Sequence, residues 1–263
     1  MISIHGAAVY VAGLILSWTG IQAQVPQSAP PPIEHIKVVL VGDSSVATGG
    51  GWGPGFCAHL TDDAGCLDLA KDGRSTKSFL DEGLWRKALE EGGQFYFIQF
   101  GHNDQKYQVI LHTDPETTFK ANLHRYFTDV RKIGGTPVLV TSLTRRNFDN
   151  GKLIIDPLRE YAAATREVAA EDHVALVDLY QLSRALIEPM TQEQADQYDA
   201  TAHVDAKAEG ATATTPDRSH LNDLGKRTFG DMVAQAAYDA VPALKPYIQL
   251  TPMPTWTISG DHH

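Results

Sequence analysis

Four short polar blocks in this chain together hold the groups that an acyl transfer needs. They are Gly42-Asp43-Ser44-Ser45, Lys71-Asp72-Gly73-Arg74-Ser75, Gly101-His102-Asn103-Asp104 and Asp217-Arg218-Ser219-His220. A serine hydroxyl is a weak nucleophile until a base takes its proton, and the base needs a third group to hold its ring. Ser44 stands where a nucleophile would, His220 is the best base, and Asp217, three residues earlier, can hold the other imidazole nitrogen. The oxyanion of a tetrahedral intermediate needs aimed donors. The backbone N–H groups of Ser44 and Gly73 and the side-chain amide of Asn103 would supply three, with Gly73 letting the backbone approach without a side chain in the way.

The blocks have to be brought together by the elements between them. Five apolar or β-branched runs, Ile36–Val41, Cys66–Ala70, Phe95–Phe100, Pro137–Ser142 and Val174–Asp178, read as strands buried on both faces of a parallel sheet. Helical patterns alternate with them. Pro115–Lys132 carries Phe119, Leu123, Tyr126, Phe127 and Val130 on one stripe, opens on Asp114-Pro115 and stops at Gly134-Gly135. Leu158–Glu171 follows Asp156-Pro157, and Leu221–Val241 ends at Pro242. The alternation predicts a three-layer α/β/α sandwich on a five-stranded parallel sheet. Ligands in such sheets bind beyond the carboxyl ends of the strands, where these blocks and Leu143-Thr144-Arg145-Arg146 fall. Glu193–Thr215 loses periodicity after Tyr198 and reads as a long excursion.

Singly, each block has a plain structural explanation. Gly, Asp and Ser are turn formers, and Asp217 could simply accept the His220 N–H as a helix cap. The combination is more informative. GDS at 42–44, the Gly73 block, GxND at 101–104 and DxxH at 217–220, in that order, resemble the SGNH (GDSL-type) hydrolase superfamily. Gly73-Arg74-Ser75-Thr76-Lys77-Ser78-Phe79, Phe100-Gly101-His102-Asn103-Asp104 and Thr144-Arg145-Arg146-Asn147-Phe148 resemble its rhamnogalacturonan acetylesterase branch, carbohydrate esterase family 12. The likeness covers roughly residues 36–240. It implies a flavodoxin-like fold, Ser44 as nucleophile, His220 as base, Asp217 as its orienter, and an oxyanion hole of Ser44, Gly73 and Asn103. It implies no cofactor and no metal. The expected reaction is removal of O-acetyl groups from a plant cell-wall polysaccharide, rhamnogalacturonan or a related pectin. Acetylxylan or general short-chain carbohydrate esterase activity is the alternative, and a catalytically silent carbohydrate-binding protein is the alternative of a different class. A metal-dependent phosphoesterase could use Asp43, Asp104, Asp217 and His220, but the chain lacks the paired HxH or GDxHG patterns of such ligand sets. The departures are GDSS where the branch more often has GDST, Asp72 ahead of Gly73, and the Ala/Thr-rich stretch before Asp217.

Around these groups, Asp43 reads as a turn former and Asp104 as a loop anchor. Trp52, behind Gly49-Gly50-Gly51, together with Arg74, His102, Arg145 and Arg146, are the candidates for holding substrate. Cations Lys71, Arg74, Lys77, Arg145, Arg146 and Arg218 gather at the predicted active edge of a chain whose net charge is −10. They either suit a substrate bearing carboxylates or neutralise neighbouring acids. The acidic balance argues against nucleic-acid binding.

A 263-residue chain with 43% hydrophobic residues supports one large α/β domain, expected over 35–250. The first 23 residues carry no Asp, Glu, Lys or Arg and place an apolar run, Ala7 to Leu16, before Ala23. They read as a secretory signal peptide, although no Lys or Arg precedes the run. A Pro-rich tether spans 24–34 and a tail 251–263. The protein is expected to be secreted or periplasmic, without a membrane span once the leader is removed. Cys57 and Cys66 are then a candidate disulfide or two buried thiols. A monomer is the simpler expectation.

Overall fold

The computed structural model describes residues 35–201 and 216–250. The expected leader, its cleavage at Ala23, the tether, the tail and residues 202–215 of the excursion lie outside them. The strands of the central sheet are β1 (Ile36–Gly42), β2 (Ala64–Asp68), β3 (Phe95–Gln99), β4 (Thr136–Val140) and β7 (Ala175–Val177). They are all parallel, in the order β2-β1-β3-β4-β7. These are the five runs expected from the sequence, with ends shifted by up to two residues. All five residues of Phe95–Gln99 are buried, which is why the run lacks alternation.

Helices cover both faces. Val38, Leu40, Phe97, Val138 and Val140 point to a core shared with α1 (Gly53–Cys57) and α8 (Asp223–Ala240), through residues such as Phe56, Phe229 and Val233. The alternate residues Val39, Val41, Tyr96, Ile98 and Leu139 join Phe79 and Trp85 on the other face, with Leu123, Tyr126 and Val168. The helices on that side are α2 (Thr76–Asp81), α3 (Leu84–Glu90), α4 (Lys120–Lys132) and α5 (Leu158–Glu171). The expected helix from Pro115 is observed, but its first turn, Pro115–Phe119, is wider than an α-helix and is capped by the Asp114 carboxylate. Two further helices, α6 (Leu179–Ile187) and α7 (Gln192–Asp196), follow β7.

Two small antiparallel pairs stand apart from the main sheet: β5 (Phe148–Asp149) with β6 (Lys152–Leu153), and β8 (Asp199–Thr201) with β9 (Pro216–Leu221). The second corrects the reading of 193–215 as a long excursion without periodicity after Tyr198. Its start holds a capped helix and a strand, too short for a pattern of hydrophobic spacing to reveal. Asp217 and His220 accordingly sit on a strand, and α8 begins later than expected, capped by Asn222. Cys57 and Cys66 form a disulfide, with Cα atoms 5.7 Å apart, tying the end of α1 to β2.

Candidate active site

The order β2-β1-β3 makes the gap between β1 and β3 the point where the chain reverses direction across the sheet, and open sheets of this kind bind ligands beyond the strand ends at that point. The tight turn that leaves β1 holds Ser44, with the Val46 and Ala47 N–H groups donating to the Asp43 carbonyl. The Asp43 carboxylate is fully buried beneath it and accepts from the Ser45 N–H at 2.9 Å and the Ser45 hydroxyl at 2.6 Å. Gln99, the last residue of β3, donates from its amide to the Ser45 hydroxyl, and its carbonyl oxygen accepts from the Trp52 indole at 2.8 Å. A buried chain Trp52–Gln99–Ser45–Asp43 therefore braces the turn that holds Ser44 from below. Burial raises the Asp43 carboxyl, opposed by its hydrogen bonds from Ser45.

From the opposite side β9 brings His220. The Ser44 hydroxyl lies 2.7 Å from His220 Nε2, and His220 Nδ1 lies 2.6 Å from Asp217 Oδ2. An ionised carboxylate can only accept, so Nδ1 carries the hydrogen and Nε2 is free to accept from Ser44. Burial works to raise the Asp217 carboxyl, but hydrogen bonds from His220 and Ser219 outweigh it and hold the group below its ordinary value. The second Asp217 oxygen accepts from the Ser219 and His220 N–H groups at 3.1 and 3.3 Å. The capping contact and the imidazole contact thus coexist on one carboxylate.

Gly50 sits against the His220 side chain. A Cβ there would come 3.0 Å from the His220 Cβ and 3.1–3.2 Å from two imidazole carbons, so glycine lets the loop pack directly on this side chain. The Gly50 carbonyl also accepts from the Leu221 N–H at 2.9 Å, stitching the loop to β9.

On the β2–α2 loop, Gly73 has φ +76°, a left-handed conformation that suits glycine, and nothing stands where its Cβ would be. Among the described residues neither the Ser44 nor the Gly73 N–H has a hydrogen-bond partner. Asn103 follows β3. One amide hydrogen donates to the Arg74 carbonyl at 3.0 Å and the Asn103 carbonyl oxygen accepts from Lys106 Nζ at 2.6 Å. The second amide hydrogen stays available. The Asp104 carboxylate is fully buried and accepts from the Thr76 N–H and the Thr76 and Thr113 hydroxyls, fixing the start of α2 to the loop before α4. Burial, partly offset by those hydrogen bonds, raises it to about 7.

The residues expected to hold substrate divide. Trp52 is fully buried and committed to Gln99, so it is packing and bracing rather than a wall of the crevice. Arg146 is likewise fully buried. Its guanidinium pairs with Asp199 of β8 and donates to the His220 carbonyl at 3.0 Å and the Thr144 carbonyl at 3.3 Å, so it reaches no substrate. Burial raises the Asp199 carboxyl to about 6 against the pull of Arg146. His102 is buried, 3.4 Å from the Ser45 hydroxyl and 3.8 Å from Asp43, and burial followed by Arg145 and Arg146 lowers its pKa well below normal. It belongs to the brace under Ser44. Arg74 is spent on Glu82 and the Asp72 carbonyl. Arg145 remains partly exposed, with one amino group 3.3 Å from Asp156 and Nε 3.4 Å from the Ser219 hydroxyl. Most of the cations at this edge neutralise neighbouring acids.

Sequence reasoning missed Gln99, Gly50 and Asp199. Gln99 did leave a signal, as the polar residue inside the apolar run FYFIQF. Asp199 left none, because its partner is 53 positions away. Asp43, Asp104, Asp217 and His220 do not form a common ligand cluster. The acidic grouping with such spacing among the described residues is His124, Glu171 and Asp172.

The family model for GDSL-like lipase/acylhydrolases matches residues 40–228. A probable rhamnogalacturonan acetylesterase of Bacillus subtilis (strain 168), YesY, is 34% identical over 61% of this chain and 78% of its own length. The rhamnogalacturonan acetylesterase RhgT of the same strain is 36% identical over 60% of this chain and 71% of its own. Among solved structures, a Bacillus subtilis protein superposes with a TM-score of 0.62 at 20% identity, over 79% of this chain and 57% of that one. The chain thus spans little more than half of that structure, and the likeness shows the fold alone.

Proposed function

Because the chain belongs to the GDSL-like lipase/acylhydrolase family, we propose that it is a serine esterase removing O-acetyl groups from a plant cell-wall polysaccharide, rhamnogalacturonan in particular. The observation that carries the reading is the unbroken relay from Ser44 Oγ to His220 Nε2 and from His220 Nδ1 to Asp217. Ser44 attacks the acetyl carbonyl while His220 takes its proton, and Asp217 stabilises the imidazolium. The oxyanion is received by the Ser44 and Gly73 N–H groups and the Asn103 amide. Collapse expels the sugar alcohol, protonated by His220, and leaves an acetyl group on Ser44. Water, deprotonated by His220, then releases acetate and restores the enzyme.

The two rhamnogalacturonan acetylesterases at 34% and 36% identity, matching 61% and 60% of this chain, support the polysaccharide assignment. The Cys57–Cys66 disulfide supports a secreted or periplasmic location, because disulfides persist in oxidising compartments. The uncharged segment before Ala23 supports it as the export signal. Among the described residues no helix is long and apolar enough to cross a membrane. Acetate release from acetylated rhamnogalacturonan, acetylated homogalacturonan and acetylxylan tests the assignment. The expected result is the highest kcat/KM on rhamnogalacturonan, and a preference for acetylxylan would reassign the substrate while keeping the chemistry.

A further inference from the structure

Lys106, three positions beyond Asn103, turns its ammonium back onto that residue. Its Nζ donates to the Asn103 Oδ1 at 2.6 Å, and its backbone N–H donates to the Asn103 main-chain carbonyl at 3.1 Å. The contact differs from those of the arginines at this edge. Arg74, Arg145, Arg146 and Arg218 pair with Glu82, Asp156, Asp199 and Asp196. Among the described residues Lys106 pairs with no carboxylate, in a chain of net charge −10, and rests on a neutral amide instead. Asn103 is buried, whereas Lys106 is exposed.

A side-chain amide has an accepting end and a donating end, and exchanging them would remove an oxyanion donor. An ammonium only donates, and a backbone carbonyl only accepts. With Lys106 Nζ on Oδ1 and the Arg74 carbonyl on Nδ2 at 3.0 Å, the amide has one orientation. Turned over, it would set its oxygen against the Arg74 carbonyl and its N–H groups against the ammonium. The second Nδ2 hydrogen is thereby fixed in place. A charge-assisted bond at Oδ1 also draws electron density from the nitrogen, which strengthens what the Nδ2 hydrogen donates. Because Arg74 follows Gly73, the same amide ties together two of the loops that supply oxyanion donors.

We propose that Lys106 is a positioning residue for the acyl transfer, holding and polarising through its Oδ1 contact the Asn103 amide that receives the oxyanion. The proposal rests on the esterase reading and adds a residue that lies outside both the relay and the oxyanion hole. Lys106 acts through the amide rather than on substrate, so its effect falls on kcat and is the same for any acetate ester. Solvent screens an exposed cation, which keeps the effect well short of that of Asn103 itself.

The test measures kcat and KM for a small neutral chromogenic acetate ester and for acetylated rhamnogalacturonan. The proteins compared are wild type, Lys106→Met, Lys106→Arg, Asn103→Ala and the double variant Asn103→Ala with Lys106→Met. Lys106→Met should lower kcat about three- to tenfold on both substrates with KM little changed. Lys106→Arg should recover most of the loss, since a guanidinium also only donates. In the Asn103→Ala background the same Lys106→Met change should cost less than about twofold, because its route is gone. A full Lys106→Met loss in that background, an unchanged kcat in the single variant, or a rise in KM confined to the polysaccharide overturns the proposal. Failure of wild type to hydrolyse either ester overturns the esterase reading instead.

Discussion

The two halves of the site are built in different ways. Ser44, Gly73 and Asn103 stand beyond the ends of β1, β2 and β3, adjacent strands of the parallel sheet, of which β1 and β3 are almost wholly buried. Asp217 and His220 stand on β9, half of a two-stranded ribbon outside that sheet. The ribbon is fastened by Arg146, which pairs with Asp199 on β8 and donates to the His220 carbonyl, and by the Gly50 carbonyl on Leu221. The half that carries Ser44, Gly73 and Asn103 rests on strands set by hydrophobic burial and is braced by the buried Trp52–Gln99–Ser45–Asp43 hydrogen bonds, whereas the half that carries Asp217 and His220 is held by a buried ion pair and a close glycine contact. Burial is non-directional and tolerant of repacking, while a buried ion pair fails when either partner is lost.

Removing the base makes the largest difference. His220→Ala should lower kcat by about 10⁴-fold or more with the fold intact, measured by acetate release and circular dichroism. Asn103→Ala on the other half should lower kcat by roughly 10²–10³ with little change in KM, the signature of a donor used chiefly in the transition state. An equal rise in KM would make it a substrate-binding group instead.

Arg146→Met probes the fastening. The loss of turnover should be smaller, about tenfold, since the base is displaced rather than removed. The uncompensated Asp199 should cost about 3–5 kcal/mol in urea unfolding. Adding Asp199→Leu should recover most of that cost without restoring turnover. A double variant as unstable as the single one would show that the ion pair is not what fastens the ribbon.

Asp104→Asn should act on stability and leave turnover nearly untouched. The folded protein holds the Asp104 proton up to about pH 7, against an ordinary value of 3.8. Its contribution is therefore fully present below about pH 4 and is lost as pH rises through 7. The variant should flatten the fall in melting temperature between pH 5 and pH 8. An unchanged slope would assign that fall to other groups.

The same contrast explains what the sequence disclosed. Burial on both faces leaves continuous apolar runs in β1, β3 and β4, and the edge strands β2 and β7, though only partly buried, keep enough apolar residues that all five strands and the polar blocks at their ends were legible. The ribbon was not, because β8 has three residues and its register is set by a partner beyond a long insertion. Arg146 was legible as a cation at the active edge, but its burial was not, since that depends on Asp199 and Phe229 meeting it from other elements. Trp52 followed the same pattern: its place behind Ser44 was visible, whereas its bond to Gln99 required the pairing of β1 with β3.

The most direct measurement compares acetate release from acetylated rhamnogalacturonan by the wild-type chain and by Ser44→Ala. If Ser44 is the nucleophile, the variant should keep its fold and lose all but a trace of activity, well below about 1% of wild type. A folded Ser44→Ala protein that still releases acetate above that level would contradict the assignment of Ser44, and with it the triad.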